Sequence, residues 1–265
     1  MDEIDSVARK AAAAASAVLM EHYGKVQISK VETKAKNDFV SFVDREAEKA
    51  IINTVRETFK NHAFLTEEDQ AAEATKGEYR WVIDPLDGTT NYLRMHHRFS
   101  VSIGVEKKGV LIYGLVLDVM HDDLFTASLG HGAYLNDKRI QVSEASTLTE
   151  ALVLFGTPFR QERTVVEAYA ALYGNVQNAV SDHRREGSAA LDLASVACGR
   201  AEAFYELGLK PWDVAAGQII LKEAGGWAGD FYGPNEDIFR DTFLATTPKL
   251  KDGFLSILSK WKKQT

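Results

Sequence analysis

The stretch Trp81-Val82-Ile83-Asp84-Pro85-Leu86-Asp87-Gly88-Thr89-Thr90-Asn91 joins an apolar strand to a turn that carries two carboxylates and two hydroxyls and is stiffened by Pro85. Asp84 and Asp87 stand three apart. A chain that turned into a helix after Pro85 would set both on one side, where they can share or flank divalent cations. Gly88 has no Cβ, so the backbone N–H groups of Gly88, Thr89 and Thr90 can approach an anion at the helix N-terminus, where the macrodipole favours phosphate. Carboxylates beside an anion-binding turn repel a phosphate unless a cation lies between them, so the residue set asks for Mg²⁺ or a similar hard metal. The same letters also spell an ordinary turn, and Asp is a good helix N-cap.

Two more acidic segments bear on that choice. His62-Ala63-Phe64-Leu65-Thr66 reads as a short strand with Glu67-Glu68-Asp69 at its end, where a loop would hold ligands. Far downstream, in Lys210-Pro211-Trp212-Asp213-Val214-Ala215-Ala216-Gly217, Asp213 reads as the N-cap of an Ala-rich helix, and capping alone would explain it. Together the three segments resemble the inositol monophosphatase family of Mg²⁺-dependent, lithium-sensitive phosphatases. Its signatures are a Glu-Glu pair, Asp-Pro-x-Asp-Gly-Thr-x-Asn, and Trp-Asp-x-Ala-Ala/Gly-Gly. Here they read Thr66-Glu67-Glu68-Asp69, Asp84 to Asn91, and Trp212 to Gly217, followed by Glu223-Ala224-Gly225-Gly226, which matches the family's C-terminal signature. Order and separations agree over essentially the whole chain.

The resemblance implies a site and a mechanism. One Mg²⁺ is expected at Glu67, Asp84 and the carbonyl of Leu86, and a second at Asp84, Asp87 and Asp213. A third, weaker ion is expected near Glu67, through waters. Mn²⁺ suits the same oxygen donors. The nucleophile is expected to be water, positioned with the help of Thr89 and Asp44, while Asp213 orients the water that protonates the leaving oxygen. Asp44 would also cap a second helix. Glu68 is expected to be a supporting or exposed acid. Gly187-Ser188-Ala189-Ala190 resembles the family's sugar-binding segment, and Glu206 matches the acid that hydrogen-bonds substrate hydroxyls. A carboxylate can accept from two vicinal hydroxyls, which suits a polyol. Arg184 and Arg185 precede that segment and read equally as a solvated turn or as contacts to a second phosphate.

Along the chain, a first helix is expected from about Ile4 to His22, ended by Gly24, and a second from Asp44 to Phe59 with Ala47, Ile51, Val55 and Phe59 on one face. Strands are expected at Arg80–Ile83, Phe99–Val105, Val110–Val119 and Leu124–Ala127, with Lys107-Lys108-Gly109 as a hairpin turn, which suggests a large antiparallel sheet. After Glu150 the rhythm alternates: strand Leu152–Phe155, helix Gln161–Tyr173, strand Val176–Val180, helix Ser188–Cys198, strand Glu202–Tyr205 and helix Asp213–Ala224. This divides the chain into an α+β domain, residues 1–150, with the metal and phosphate site, and an α/β domain, residues 151–265, with the substrate-recognition segment. The expected architecture, which the resemblance also implies, is a layered αβαβα sandwich of the sugar phosphatase type with the site in a cleft.

Composition excludes some classes. With 265 residues, 45% hydrophobic and 26% charged, there is ample material for one compact unit or two intimately packed domains. A net charge of -7 argues against a general nucleic-acid binder, since phosphate backbones are held through basic patches. Cys198 is the only cysteine, so no intrachain disulfide forms, and it reads as a small buried helix residue. The Ala11–Ala17 run is flanked by Asp2, Glu3, Asp5 and Glu21 and reads as a helix, with no targeting or membrane segment, so a cytoplasmic location is expected.

The chain departs from the family pattern at Thr66, commonly Gly, and at Arg94-Met95-His96-His97-Arg98, where a Pro is usual. Adjacent histidines in a strand point to opposite faces, so His96 and His97 read as surface residues. The expected activity is hydrolysis of a polyol or sugar phosphate, inositol monophosphate first. Fructose 1,6-bisphosphate or dual activity is the alternative, with histidinol phosphate or adenosine bisphosphates less favoured. A regulatory binding protein on the same fold is the reading from another class. The resemblance implies a homodimer.

Overall fold

The computed structural model describes residues 2–26, 32–35, 38–40, 42–68, 77–158 and 162–262. The predicted ligand-loop residue Asp69 and the predicted helix start at Gln161 lie outside them. Helix α1 (Asp2–His22) buries Ile4, Val7, Ala8, Ala11, Ala12, Ala15 and Leu19, a stripe of three- and four-residue steps that is mostly alanine. Strands β1 (Glu32–Ala35) and β2 (Asp38–Val40) pair only with each other. Helix α2 (Phe42–Thr58) buries Val43, Ala47, Ile51 and Val55, and the small side chains of α1 let the two helices lie close.

The pair covers one face of a seven-stranded sheet of β3 (Ala63–Thr66), β4 (Tyr79–Asp87), β5 (Ser100–Lys107), β6 (Val110–Asp118), β7 (Asp123–Ser128), β8 (Gly132–Leu135) and β9 (Lys138–Ile140), joined in chain order. Between β4 and β5 stands the short helix α3 (Thr89–Leu93). The sheet is antiparallel except that β3 and β4 run parallel. Lys108 and Gly109, with φ of 53° and 81°, make the two-residue turn expected between β5 and β6, the backbone hand that matches strand twist.

The later part supplies β10 (Leu152–Phe155), α4 (Arg163–Gln177), β11 (Asp182–Arg184), α5 (Ala189–Ala197), β12 (Ala203–Leu207), α6 (Pro211–Glu223), β13 (Trp227–Gly229), β14 (Thr242–Thr246) and α7 (Lys251–Leu258). Its five strands order as β11-β10-β12-β14-β13. Helices α5 and α6 fill the space between the two sheets, and α4 and α7 close the far side. The layers therefore read αβαβα, as expected, with three apolar cores between them. No helix among the described residues is long and apolar enough to cross a membrane.

Some expected elements move. The strand expected at Val176–Val180 is instead the end of α4 and a turn, because Tyr169, Leu172 and Val176 continue one helical stripe; the strand is Asp182–Arg184. Helix α2 begins at Phe42, so Asp44 lies inside its first turn. Helix α6 begins at Pro211, whose fixed φ suits the first helical position, so Lys210 is the N-cap and Asp213 is not. His96 and His97 are exposed on a loop, not on a strand. The short strands β8, β9, β13 and β14 and helix α7 were not expected.

One contact sets the spacing of the central layer. Gly104 and Gly114 face each other across β5 and β6. A Cβ on Gly104 would stand 2.9 Å from that of Ala215, and one on Gly114 would stand 2.5 Å from the Ala216 carbonyl oxygen and from Ile219 Cγ2. On the other side, a Cβ on Gly217 would come within 2.6 Å of Leu193 on α5. Helix α6 is thus seated where side chains are missing, two from the sheet beneath it and one from its own face toward α5. Replacing Gly114 by Val should overpack this seat and destabilise the protein by about 1–3 kcal/mol. Urea denaturation checks this; an unchanged midpoint would contradict the seat.

Candidate active site

A β-bulge aligns the two aspartates. In the β4–β5 ladder Asp84 pairs with Ser102 and Asp87 with Ser100, so three steps along β4 match two along β5. Residues three apart in a regular strand point to opposite faces, and the extra residue at Pro85-Leu86 restores them to one face. The expectation that a helix after Pro85 does this is corrected: β4 continues to Asp87, and α3 starts only after Gly88, which has φ of 94°. A Cβ at Gly88 would also approach the carbonyls of Arg98 and Gly187 at 3.0 and 3.1 Å.

Ser100 and Ser102 identify the face. Ser102 Oγ donates to the carbonyl of Trp212, at the start of α6, at 3.2 Å, and Ser100 Oγ meets Ser188 Oγ, at the start of α5, at 3.2 Å. The aspartates therefore point into the central layer, at the starts of α5 and α6. Parallel pairing of Thr66 with Ile83 brings the next residue, Glu67, beside Asp84. Asp213, in the first turn of α6, accepts the Lys210 N–H through Oδ2 at 2.7 Å.

Glu67, Asp84, Leu86, Asp87, Gly88, Thr89, Thr90 and Asp213 all line one cleft, together with Arg185, Gly187, Ser188, Ala189 and Glu206. Every one of these was expected from the sequence. Asp44 lies behind it: buried, it accepts from Thr89 Oγ1 at 3.3 Å, and the same hydroxyl reaches the Leu86 carbonyl at 3.2 Å. Glu48, one turn further along α2, accepts the Glu68 N–H at 2.9 Å. Arg184 stands apart. It is half-exposed on β11 and pairs at 2.6 Å with Asp182, two residues back on the same strand face.

Other residues of the site went unassigned. Asn91 Nδ2 donates to the carbonyls of Arg98 at 2.6 Å and Glu186 at 2.8 Å, tying the acidic turn to the segment before α5. Asp87 Oδ2 accepts from Ser188 Oγ at 2.7 Å and from the Ala190 N–H at 2.8 Å. Phe155, the last residue of β10, and Gly156, Thr157 and Pro158 after it form one wall, and Asp192 joins the lining. The polar alternation Ser100-Val101-Ser102-Ile103 and a lone acid in the apolar stretch Ala190-Leu191-Asp192-Leu193 were the available signals.

The electrostatics are those of crowded like charge. Burial, then the charges of Glu67, Asp87 and Asp213, push the Asp84 carboxyl well above the usual carboxylate range, against a hydrogen bond from the Leu86 N–H at 2.9 Å. Glu206 is raised by burial and by Asp213, Asp192 and Asp87, with Arg185 opposing. Among the described residues no group of three or more His, Cys, Asp or Glu side chains is gathered closely enough to hold a metal ion as it stands. The donors are carboxylate oxygens and one carbonyl, with neither thiolate nor imidazole among the lining residues. Hard divalent cations fit that set and would relieve the repulsion.

A model of the inositol monophosphatase family matches residues 1–263. The chain belongs to this family. The Nus factor SuhB of Escherichia coli strain K12 is 39% identical over 251 residues, covering 95% of this chain and 94% of that protein. Among solved structures, the extragenic suppressor protein suhB of Bartonella henselae superposes with a TM-score of 0.91 at 38% identity, covering 98% of this chain and all of that one. Inositol monophosphatase from Anabaena does so with a TM-score of 0.86 at 36% identity, covering 97% and 95%. Members of the family generally use Mg²⁺.

The raised Asp84 carboxyl has a consequence for the metal-free protein. The unfolded chain releases this proton near pH 4, the folded chain at higher pH, so folding stability falls as pH rises from the ordinary carboxylate range through the raised value. Asp84→Asn should remove that loss and raise neutral-pH stability by on the order of 1 kcal/mol. Urea denaturation in EDTA at several pH values measures it; a variant less stable than the parent at pH 7 would refute the crowding argument.

Proposed function

We propose that this chain is a Mg²⁺-dependent phosphoric monoester hydrolase acting on a phosphorylated polyol, inositol monophosphate first, with fructose 1,6-bisphosphate or dual activity as the alternative. The observation that carries this reading is the meeting of Glu67, Asp84, Asp87 and Asp213 with the Gly88-Thr89-Thr90 turn in one cleft. The inositol monophosphatase from Anabaena, which shares the fold, supports the substrate class.

Glu67, Asp84 and the Leu86 carbonyl would hold one cation and Asp84, Asp87 and Asp213 a second, with a third near Glu67; Mg²⁺ is the favoured ion and Mn²⁺ fits the same donors. Bound there, the ions supply charge neutralisation for the phosphoryl oxygens and acidify water. The protein's own groups do the rest. Thr89 Oγ1, donating to Asp44, can accept a hydrogen bond from the attacking water, so proton density moves from water to Thr89 and on toward Asp44. The N–H groups of Gly88, Thr89 and Thr90 face the phosphate oxygens, stabilising charge that grows in the transition state. Asp213, fixed by the Lys210 N–H, orients the proton source for the leaving oxygen. Glu206 accepts from substrate hydroxyls beside Gly187, Ser188 and Ala189, and Arg185 offers the cleft's edge a cation. The phosphate then departs with its oxygens balanced by one water added and one alcohol released.

A second reading is a regulatory binding role beside hydrolysis, favoured by the name Nus factor borne by the E. coli relative. An Asp87→Asn variant separates the two in a partner pull-down: a partner retained by the inactive variant supports the binding role, and none at all removes it. We also propose a homodimer, which sedimentation tests directly.

Phosphate release from inositol 1-phosphate and fructose 1,6-bisphosphate, with Mg²⁺, with EDTA and with added Li⁺, tests the catalytic reading. Mg²⁺-dependent release slowed by Li⁺ is expected, and release that persists in EDTA would overturn it. Asp84→Asn or Asp87→Asn should lower turnover by at least about 100-fold, the scale of losing a transition-state charge contact, while circular dichroism stays unchanged. Full activity in either variant would sink the assigned ligands.

A further inference from the structure

The wall formed by Gly156 bears directly on Glu206. Strands β10 and β12 run parallel with Phe155 opposite Tyr205, so the next residues, Gly156 and Glu206, also stand side by side, on the opposite face from that pair. Phe155 and Tyr205 stack at 6.1 Å on the side of α4, and Glu206 points into the cleft. A Cβ built on Gly156 would overlap the carboxylate carbon and both oxygens of Glu206. The φ of Gly156 lies outside the left-handed region, so the backbone there does not require glycine; only the space does.

The seat is also clamped. The Gly156 N–H donates to the Tyr205 carbonyl at 3.1 Å. The hydroxyl of Tyr169, a buried residue of α4, donates to the Gly156 carbonyl at 2.8 Å and lies 3.5 Å from the Tyr205 carbonyl. Two residues far from Gly156 in sequence, Tyr169 and Tyr205, thus fix the glycine against the carboxylate.

We propose that Gly156 is the positioning residue for Glu206: the Glu206 carboxylate occupies the volume that any side chain at 156 would take, and the Tyr169 clamp keeps that volume in place. Position 156 thereby sets how the enzyme reads substrate hydroxyls. This rests on the reading that Glu206 accepts from those hydroxyls. A residue larger than glycine pushes the carboxylate out of register with them without touching the phosphate end of the cleft.

The test compares two esters, inositol 1-phosphate and p-nitrophenyl phosphate, which presents no hydroxyl to Glu206. In Gly156→Ala, KM for the polyol ester should rise at least about fivefold more than KM for the aryl ester, the scale of one mispositioned polar contact. Glu206→Asp shortens the acid by one methylene, so Gly156→Ala added to it should change KM by less than about twofold, a failure of additivity that marks direct contact. Equal losses on both esters, or losses that multiply in the double variant, would overturn the proposal in favour of a general packing defect. If the parent enzyme shows no preference for polyol esters, the role of Glu206 toward substrate falls instead, and a crystal structure of Gly156→Ala still decides the seat. A displaced carboxylate supports it, and an unmoved one overturns it.

Discussion

The seating of α6 on Gly104 and Gly114 is the contact on which the rest of the molecule depends. Helix and sheet approach at backbone distance there, so the start of α6, with Asp213, is delivered to the end of β4, with Asp84 and Asp87. Side chains at those glycines would lift the helix by roughly the thickness of a methyl group or more, and close-packed interiors do not absorb such shifts. The serines preceding Gly104 on the same face of β5 complete the alignment, because Ser102 holds the first turn of α6 and Ser100 meets the first turn of α5. One face of one strand therefore carries, in order, the docking points of both central helices.

What is assembled at that junction is electrostatically unfavourable by itself. Carboxylates from a loop after β3, from the bulged end of β4 and from the start of α6 share one cleft, and burial together with those neighbouring charges holds the Asp84 carboxyl well above its ordinary range. The structure bears this through donors that orient individual oxygens: the Leu86 N–H on Asp84, Ser188 Oγ and the Ala190 N–H on Asp87, and the Lys210 N–H on Asp213. Crowded, mutually raised carboxylates of this kind cost stability, and such perturbed groups cluster at functional sites.

Much of this was legible in the sequence because it rests on local patterns. The stripes of α1 and α2, the Lys108-Gly109 turn and the acidic turn after an apolar run announce themselves by period or by residue type. Comparison with a known family pattern supplied the wider set, from Glu67 to Glu206. The misses have physical causes. A bulge is a property of two strands, so the shared face of Asp84 and Asp87 could not be read from β4 alone. Pro211 and Phe42 begin their helices ahead of the polar residues that look like caps, which left Asp213 and Asp44 inside the first turn. Gly156 carries no side chain, and its meaning appears only when β12 lies next to β10.

The hydrogen bonds of Asp87 with Ser188 and Ala190 span 101 and 103 residues. Loops of that length close late, after local helices and hairpins have formed, because chain entropy must be spent before the contact is made. During synthesis the acidic turn leaves the ribosome long before the segments that orient its carboxylates. The nascent chain thus displays these carboxylates without a cleft, and the cleft is completed only when both sheets have closed on α5 and α6.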